Sequence, residues 1–515
     1  MAAGAVMPVP EGIGAKVKKA LAWSLLNNLL IRLGNFAIGI MIARIVAPEE
    51  FGAFAVAITV QAILIALAEM GLSSDLVRNG RIRERAGTAT IVALAVSGLL
   101  TMCMILTAGP VSASMGAVEA RPVLQVMSMT LLISGLSVVP YARLQRDFRQ
   151  RAMLAIDGIS LVVGLLVTVG FVWLGLGAMA LALSRVIAQA VVCVMQYGLT
   201  RMRPTLAFEP AVARAMLGFG TPIALANVLS WLVMNAGHLV VGRLSGALML
   251  GFYVLAFNIS SWPMSALGQA IRAVALPGFS HLGKGHDRSR VLANAVALTW
   301  AVSLLIGVLL AVLATGVVSV VYGDRWMAAS TALAGLALFG ALRIVFDVFA
   351  TYLIAEGATR SVLVLQVLWL VALLPALAVG VSRHGLAGAG WAQTVVSLIV
   401  LLPAYLVALR RAGVLWEPML SGLTVPLLGA VPAALVGWYV YGVLPEPIVA
   451  LPAAGFGATA TYLLVLGLWL RRKFGALDRR RSGPVPEPAQ AQGGARQETA
   501  TVVLTEPMQT VRERA

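Results

Sequence analysis

Polar and charged residues recur at helical spacing inside segments that are otherwise apolar. Arg32 follows Asn28 by four positions and precedes Asn35 by three, so the three side chains share one face of a helix. A later apolar segment repeats these steps with Asn258, Trp262, Ser265, Gln269 and Arg272. Because charged groups in a bilayer are costly, such faces are expected to turn toward a protein interior or an aqueous cavity.

The arginines of these segments predict an anion site. Arg32 and Arg185 have no carboxylate one turn away on the same predicted helix. A guanidinium group binds phosphate oxygens in pairs and stays charged at physiological pH, so Arg32, Arg185 and Arg272 favour a cavity for phosphate or pyrophosphate. For Arg272, snorkelling to lipid head groups is the alternative. The neutral residues that could bind a sugar beside these arginines are Asn28, Asn35, Asn227, Asn258, Trp262 and Gln269.

Other ionisable residues in apolar segments leave two roles open. Arg343 and Asp347 share a helix face, so Arg343 either contacts substrate or pairs with Asp347. His238 lies on one face with Asn227, Trp231 and Asn235, where packing is a commoner role for histidine than proton transfer. The carboxylates available to carry a coupled proton or sodium ion are Asp347, Glu356, Asp157 and Glu69.

The motifs of several enzyme classes are absent from the sequence. The aspartates include no AspXAsp pair of the kind that binds metal in many glycosyltransferases, and Gly283 with Lys284 is followed by Gly285, where a phosphate loop has serine or threonine. Cys103 and Cys193 are too few for a zinc site or a disulfide framework. We therefore expect no enzymatic activity, no metal and no other cofactor.

Composition places these residues in a membrane. The chain has 515 residues, of which 60% are hydrophobic and 11% charged, against roughly 45–50% and 25% in soluble proteins. This predicts an all-α polytopic membrane protein, because a helix of about 20 apolar residues crosses a bilayer. The fourteen predicted spans lie at about 20–44, 51–72, 87–109, 122–142, 155–174, 178–199, 217–242, 249–277, 291–321, 327–355, 361–381, 385–409, 420–442 and 447–470.

The distribution of basic residues predicts the orientation. One alternate set of connections holds 26 basic residues, whereas the other set holds only Arg44, Arg121, Arg243, Arg325 and Arg383. Lysine and arginine accumulate in cytoplasmic loops, so both termini are predicted to be cytoplasmic. The net charge of +17 is thereby assigned to topology, and we expect no nucleic-acid partner.

An internal repeat predicts two similar halves. An offset of 199 places Arg44 and Gly52 on Arg243 and Gly251. Six spans are an even number, so the copies enter the membrane in the same direction and enclose a cleft about an axis along the membrane normal; chance similarity of apolar sequences is the alternative. The predicted regions are a cytoplasmic segment at 1–19, six-helix bundles at 20–214 and 215–415, two additional helices at 416–470, and a basic, then disordered cytoplasmic tail at 471–515.

Three motifs resemble a known transporter family. IARIVAPEEFGAF at 42–54 and EMGLSSDLVR at 69–78 resemble the opening of Wzx-type polysaccharide exporters, and VVPYARLQRDFR at 138–149 resembles the fourth loop of their exopolysaccharide branch. These exporters belong to the multidrug, oligosaccharidyl-lipid and polysaccharide superfamily, in which two six-helix bundles form a V around a central cavity. Fourteen spans match the related lipid II flippases rather than the commonest Wzx count of twelve.

The resemblance implies a function and its partners. It implies flipping of an undecaprenyl-pyrophosphate-linked oligosaccharide repeat unit across a bacterial inner membrane, for exopolysaccharide or lipopolysaccharide biosynthesis, by alternating access through a cationic cavity. Expected partners are the lipid-linked substrate, membrane lipids, and assembly proteins such as a polysaccharide polymerase. A multidrug or cation exporter of the same superfamily would instead need acidic residues deep in the cleft. A glycan-assembly membrane enzyme or scaffold is the alternative of another class.

Overall fold

The computed structural model is helical throughout the part of the chain that it describes. That part comprises residues 33–34, 36–68, 71–79, 82–203, 205, 207–280, 286–414 and 417–481. Within these ranges there are α-helices, one 3-10 turn and one π-helical turn, and no strand, which confirms the all-α expectation. The predicted N-terminal segment and most of the predicted tail lie outside these ranges.

Seven helices make up the first part of the described chain. They are α1 (Phe36–Ile45), α2 (Pro48–Ala68), α3 (Leu72–Asn79), α4 (Ile82–Ser114), α5 (Ala120–Arg146), α6 (Gln150–Trp173) and α7 (Gly177–Thr200). Pro48 begins α2 and is followed by Glu49 and Glu50, as suits the first turn of a helix, where proline costs no hydrogen bond and the helix dipole favours acidic groups.

The remaining helices follow a longer and more strongly kinked course. They are α8 (Pro210–Ser280), α9 (His286–Val312), α10 (Ala314–Val321), a 3-10 turn (Asp324–Trp326), α11 (Ala329–Ala355), α12 (Thr359–Val396), a π-helical turn (Ser397–Leu401), α13 (Leu402–Arg411), α14 (Glu417–Val443) and α15 (Pro447–Arg481). Most residues of α11 are buried, and it packs against α8, α9 and α12.

Two glycines divide the longest helices into separate membrane crossings. Gly246 in α8 has φ 81° and Gly385 in α12 has φ 56°, a backbone region that glycine enters without steric cost. Eleven stretches of the described chain are long and apolar enough to cross a membrane, and two of them contain these glycines. Counting both arms of each kinked helix gives thirteen apolar segments, and α1 is a shorter apolar helix of which Phe36–Ile45 is described, at the place of the first of the fourteen predicted spans.

The chain forms two compact units, Met1–Gly467 and Leu468–Ala515. The first unit contains both predicted six-helix bundles, whose boundary at 214 and 215 stays a prediction. The described residues of the second unit are helical. The cavity and all of its described lining residues belong to the first unit.

Candidate functional site

A cavity of about 890 Å³ lies in the unit formed by residues 1–467. Helices α1, α2, α6 and α7 line it from the first predicted half, and both arms of α8 line it from the second. Tyr322, which follows α10, completes the lining. The described lining residues therefore come from both of the predicted six-helix bundles, whose division stays a prediction.

Four of the described lining residues have ionisable side chains. Two of them lie on the wall formed by α6 and α7, and the others are His238 and Tyr322. Asp157 lies on α6 and Arg185 on α7. Arg185 is exposed to the cavity although it lies on a membrane-spanning helix, and it forms no hydrogen bond or ion pair with the described residues. An uncommitted guanidinium group in this position can bind an incoming anion.

Hydroxyl groups on the same wall are already bonded to their own helices. Ser160 Oγ donates to the carbonyl of Asp157 at 2.9 Å, and Thr168 Oγ1 donates to Gly164 at 2.8 Å. Ser184 Oγ, next to Arg185, donates to Leu181 at 2.9 Å. Such local bonds satisfy hydroxyl donors inside an apolar segment. The guanidinium of Arg185 is thus the strongest donor that this wall offers to a ligand.

The facing wall, formed by both arms of α8, is neutral and aromatic among the described residues. The side chain of Asn258 is exposed to the cavity, and Asn235 Nδ2 donates to the carbonyl of Trp231 at 3.0 Å. The ring of Trp262 stacks on Phe36 of α1 at 4.6 Å between centroids. Amide groups and indole rings are suited to hydrogen bonding and stacking on an uncharged polar ligand.

His238 lines the cavity but is held by packing. Its ring meets Tyr253 and Phe257 edge to face at 5.5 and 4.9 Å. Its side chain is buried, and Nε2 has no hydrogen-bond partner among the described residues. Tyr253 in turn accepts a hydrogen bond from Gln393 Nε2 at 3.3 Å. This environment favours the packing role over proton transfer.

The cavity brings together four of the predicted site residues: Asp157, Arg185, Asn258 and Trp262. Asn227 is half-buried on α8 and does not line the cavity. Arg343 and Asp347 are half-buried on α11, also outside the lining, and both make interactions. Glu356 is exposed at the end of α11. The roles predicted for these residues stay predictions.

The remaining predicted residues lie wholly or by their side chains outside the described part of the chain. Asn28, Arg32, Asn35 and Glu69 lie outside the described residues. Gln269 and Arg272 lie on α8, and their side chains are outside the described part. Their predicted contacts with substrate or with a coupled ion therefore stay predictions.

Sequence reasoning missed several lining residues on α6. Ser160, Gly164 and Thr168 follow Asp157 at steps of three, four and four, so extending the helical face from Asp157 would have found them. Tyr322 had no such signal, because it lies in a turn and reaches the cavity through tertiary packing.

A multi-pass helical protein with a large, partly charged cavity among its helices has the architecture of a membrane transporter. Residues 41–331 match the family described as "Polysaccharide biosynthesis protein". The match covers more than half of the sequence, and the chain belongs to this family.

Two curated relatives match most of the chain. The succinoglycan biosynthesis transport protein ExoT of Rhizobium meliloti (strain 1021) is 26% identical over 82% of this chain and 85% of its own length. The lipopolysaccharide biosynthesis protein WzxC of Escherichia coli (strain K12) is 22% identical over 81% of this chain and 86% of its own length.

Solved structures show the same fold at low sequence identity. The lipid II flippase MurJ in an inward closed conformation superposes with a TM-score of 0.73 at 14% identity, over 88% of this chain and all of that one. An inward-facing multidrug resistance MATE family transporter superposes with a TM-score of 0.59 at 19% identity, over 76% of this chain and 98% of that one. These structures show a shared fold, and the family match with the named relatives confirms the resemblance to polysaccharide exporters.

Proposed function

We propose that this protein flips a lipid-linked oligosaccharide across the bacterial inner membrane, with both termini in the cytoplasm. The observation that carries the proposal is Arg185, which is exposed to the cavity and unpaired with any described residue. The opposite wall offers amides and indole rings. A lipid-linked oligosaccharide presents the two matching chemistries, a phosphate or pyrophosphate and a sugar.

The size of the cavity suits a head group of limited size. Pockets of roughly 300–1,000 Å³ enclose drug-sized ligands, and this cavity has a volume of about 890 Å³. A repeat unit of a few sugars is of that order, whereas an assembled polysaccharide is far larger. The lipid tail can stay in the bilayer, since an apolar chain gains nothing by leaving it.

The charge of the ligand defines how the walls would act during transport. Arg185 would bind the phosphate oxygens through paired hydrogen bonds, with Arg32 and Arg272 completing the cationic lining, while Asn258 and Trp262 would contact the sugar. Rocking of the two halves would expose the cavity to each side in turn. An inside-negative potential favours outward movement of an anion by about 2.3 kcal/mol per unit charge per 100 mV.

Family membership and the names of the relatives support this function over the alternatives. ExoT is named as a transport protein for succinoglycan biosynthesis and WzxC as a lipopolysaccharide biosynthesis protein. An exporter of cationic drugs would bind best where acids dominate, yet the described lining holds one acid, Asp157, and one arginine. The proposal involves no bond-making step, and a polymerase acting after flipping is the assembly partner it implies.

Reconstitution in liposomes tests the function. An undecaprenyl-pyrophosphate-linked oligosaccharide is placed in the inner leaflet, and its appearance outside is followed with an impermeant sugar-binding lectin. We expect the protein to accelerate this appearance and Arg185→Ala to slow it, whereas Arg360→Ala, which removes an exposed arginine at the start of α12, should flip like the parent. If the oligosaccharide appears outside at the same rate with and without protein, and the protein transports a small cationic drug, the protein is instead a multidrug or cation exporter.

A further inference from the structure

Two arginines at one end of the cavity bind the ends of helices from the opposite predicted half. Arg44, at the end of α1, donates from Nε to the carbonyl of Val321 at 2.9 Å and from Nη2 to the carbonyl of Val320. Arg243, on α8, donates from Nη1 to the carbonyl of Ser114 at 3.0 Å. Val321 ends α10 and Ser114 ends α4. The last carbonyls of a helix lack partners and carry partial negative charge, so an arginine is a fitting cap for them.

The two arginine contacts are reciprocal. The internal repeat predicts that Arg44 is equivalent to Arg243. Arg44 contacts the end of the third predicted span of the second half, and Arg243 contacts the end of the third predicted span of the first half. Such an exchange of equivalent contacts is what two-fold symmetry produces at its axis. The arginines therefore act as a pair that joins the two halves.

A pair of equivalent glycines marks the same axis. A Cβ atom built on Gly251 would lie 3.0 Å from the Cα of Gly52, and one built on Gly52 would lie 2.5 Å from the carbonyl oxygen of Ala247. Only glycine allows two backbones to approach this closely. The halves are thus in direct contact beside the arginine caps.

A buried tryptophan fills the space between these contacts and the cavity. Trp326 is fully buried and meets Phe51 and Phe252 edge to face at 5.3 and 5.8 Å. Its Nε1 and the Nη2 of Arg325 both donate to the carbonyl of Ala43 at 2.7 Å. Phe51 also lines the cavity, so this packing forms one end wall of the cavity.

We propose that Arg44 and Arg243 are positioning residues that hold this end of the cavity closed and release it during each transport cycle. Both belong to the set of connections poor in basic residues, which the charge pattern assigns to the outer side. Both side chains are exposed, so water can replace the carbonyls at small cost and the closure is reversible. The inference rests on the proposed function only in requiring that the cavity open alternately.

Cysteine labelling tests the closure without any substrate. In a chain with Cys103 and Cys193 replaced by serine, Ser261→Cys places a thiol on the cavity wall, and an impermeant maleimide is added outside intact cells. We expect Arg44→Ala and Arg243→Ala each to raise the labelling rate about three- to tenfold, and the double variant to raise it further. Arg44→Lys keeps the charge but donates from a single nitrogen, so its labelling rate should lie between those of the parent and Arg44→Ala.

Arg121→Ala is the matched control. Arg121 is exposed, belongs to the same set of connections, and forms no hydrogen bond with the described residues. Its substitution should leave the labelling rate at that of the parent. An unchanged rate in the double variant, or an equal increase in Arg121→Ala, would overturn the proposal. An increase seen only in inside-out vesicles would overturn the outward placement of the closure.

A wedge at the axis gives a second test with both arginines intact. Gly52→Ala introduces a methyl group against Ala247 and should also raise labelling of Ser261→Cys, whereas Gly170→Ala adds a methyl group into open space and should not. If Gly52→Ala fails to reach the membrane, the arginine variants alone decide. Loss of flipping with parent-like labelling would contradict the closure, and altered labelling in a protein that flips no oligosaccharide would support the closure while contradicting the proposed function.

Discussion

The two walls of the cavity differ in charge although both belong to membrane-spanning helices. The α6–α7 wall presents Arg185 and Asp157, whereas the described residues of the α8 wall present amides, hydroxyls, rings and the packed His238. A substrate with a charged group at one end and sugars at the other can meet both walls at once. Under the proposed function, the α6–α7 wall would bind the phosphate and the α8 wall would contact the sugars. Variants on the two walls should therefore respond differently when the sugars are removed from the substrate.

The largest effect on transport is expected from Arg185→Ala. A hydrogen bond to a charged group contributes about 1.5–3 kcal/mol, so the flipping rate should fall roughly ten- to a hundredfold. Arg185→Lys keeps the charge without the paired donors and should restore part of the rate. The measurement is inner-leaflet accumulation of lipid-linked oligosaccharide, normalised to protein in the membrane. Transport by Arg185→Ala at the parent rate would remove the anion-binding role of this wall.

Trp262→Ala should have an intermediate effect that depends on the sugar. Aromatic stacking contributes about 0.5–1.5 kcal/mol beyond burial, and Trp262 also loses its contact with Phe36. Half-saturating substrate concentration should rise several-fold, and Trp262→Phe should keep most of the stacking. A carrier that bears pyrophosphate but no sugar provides the control, because Arg185→Ala should impair its transport and Trp262→Ala should not. If Trp262→Ala impairs transport of the carriers with and without sugar equally, the two walls do not bind different parts of the substrate.

Asn258→Ala should have a smaller effect of the same kind. A neutral hydrogen bond contributes about 0.5–1.5 kcal/mol, so transport should fall roughly two- to tenfold. If Asn258 and Arg185 contact different parts of the substrate, their effects on the free energy of transport should add in the double variant. Strong non-additivity would show that the two side chains share one ligand group, which contradicts the comparison.

Arg343→Ala should change transport least once protein amount is taken into account. Arg343 lies outside the cavity lining on the mostly buried helix α11, so its loss should lower the amount of folded protein. If Asp347 is its partner, removing Arg343 leaves the Asp347 carboxylate without a compensating charge, and replacing both residues with neutral ones should restore expression. Membrane abundance and flipping per molecule are measured separately. If Arg343→Ala reaches the membrane in normal amount but no longer flips substrate, Arg343 contacts the substrate instead.

The sequence by itself determined the class of the protein and part of its site. Hydropathy and helical spacing are local properties, so they predicted a polytopic helical membrane protein and placed Arg185, Asn258 and Trp262 on polar helix faces, whereas Asp157 was named only as an available carboxylate. Tertiary structure alone decided which of those faces meet. Asn227 and Arg343 have the same local signature but lie outside the lining, and Arg44 gains its partner Val321 across 277 positions of sequence. Helix packing sets such contacts, because residues distant in sequence meet only when whole helical surfaces fit together, and spacing along one helix carries no information about its neighbour.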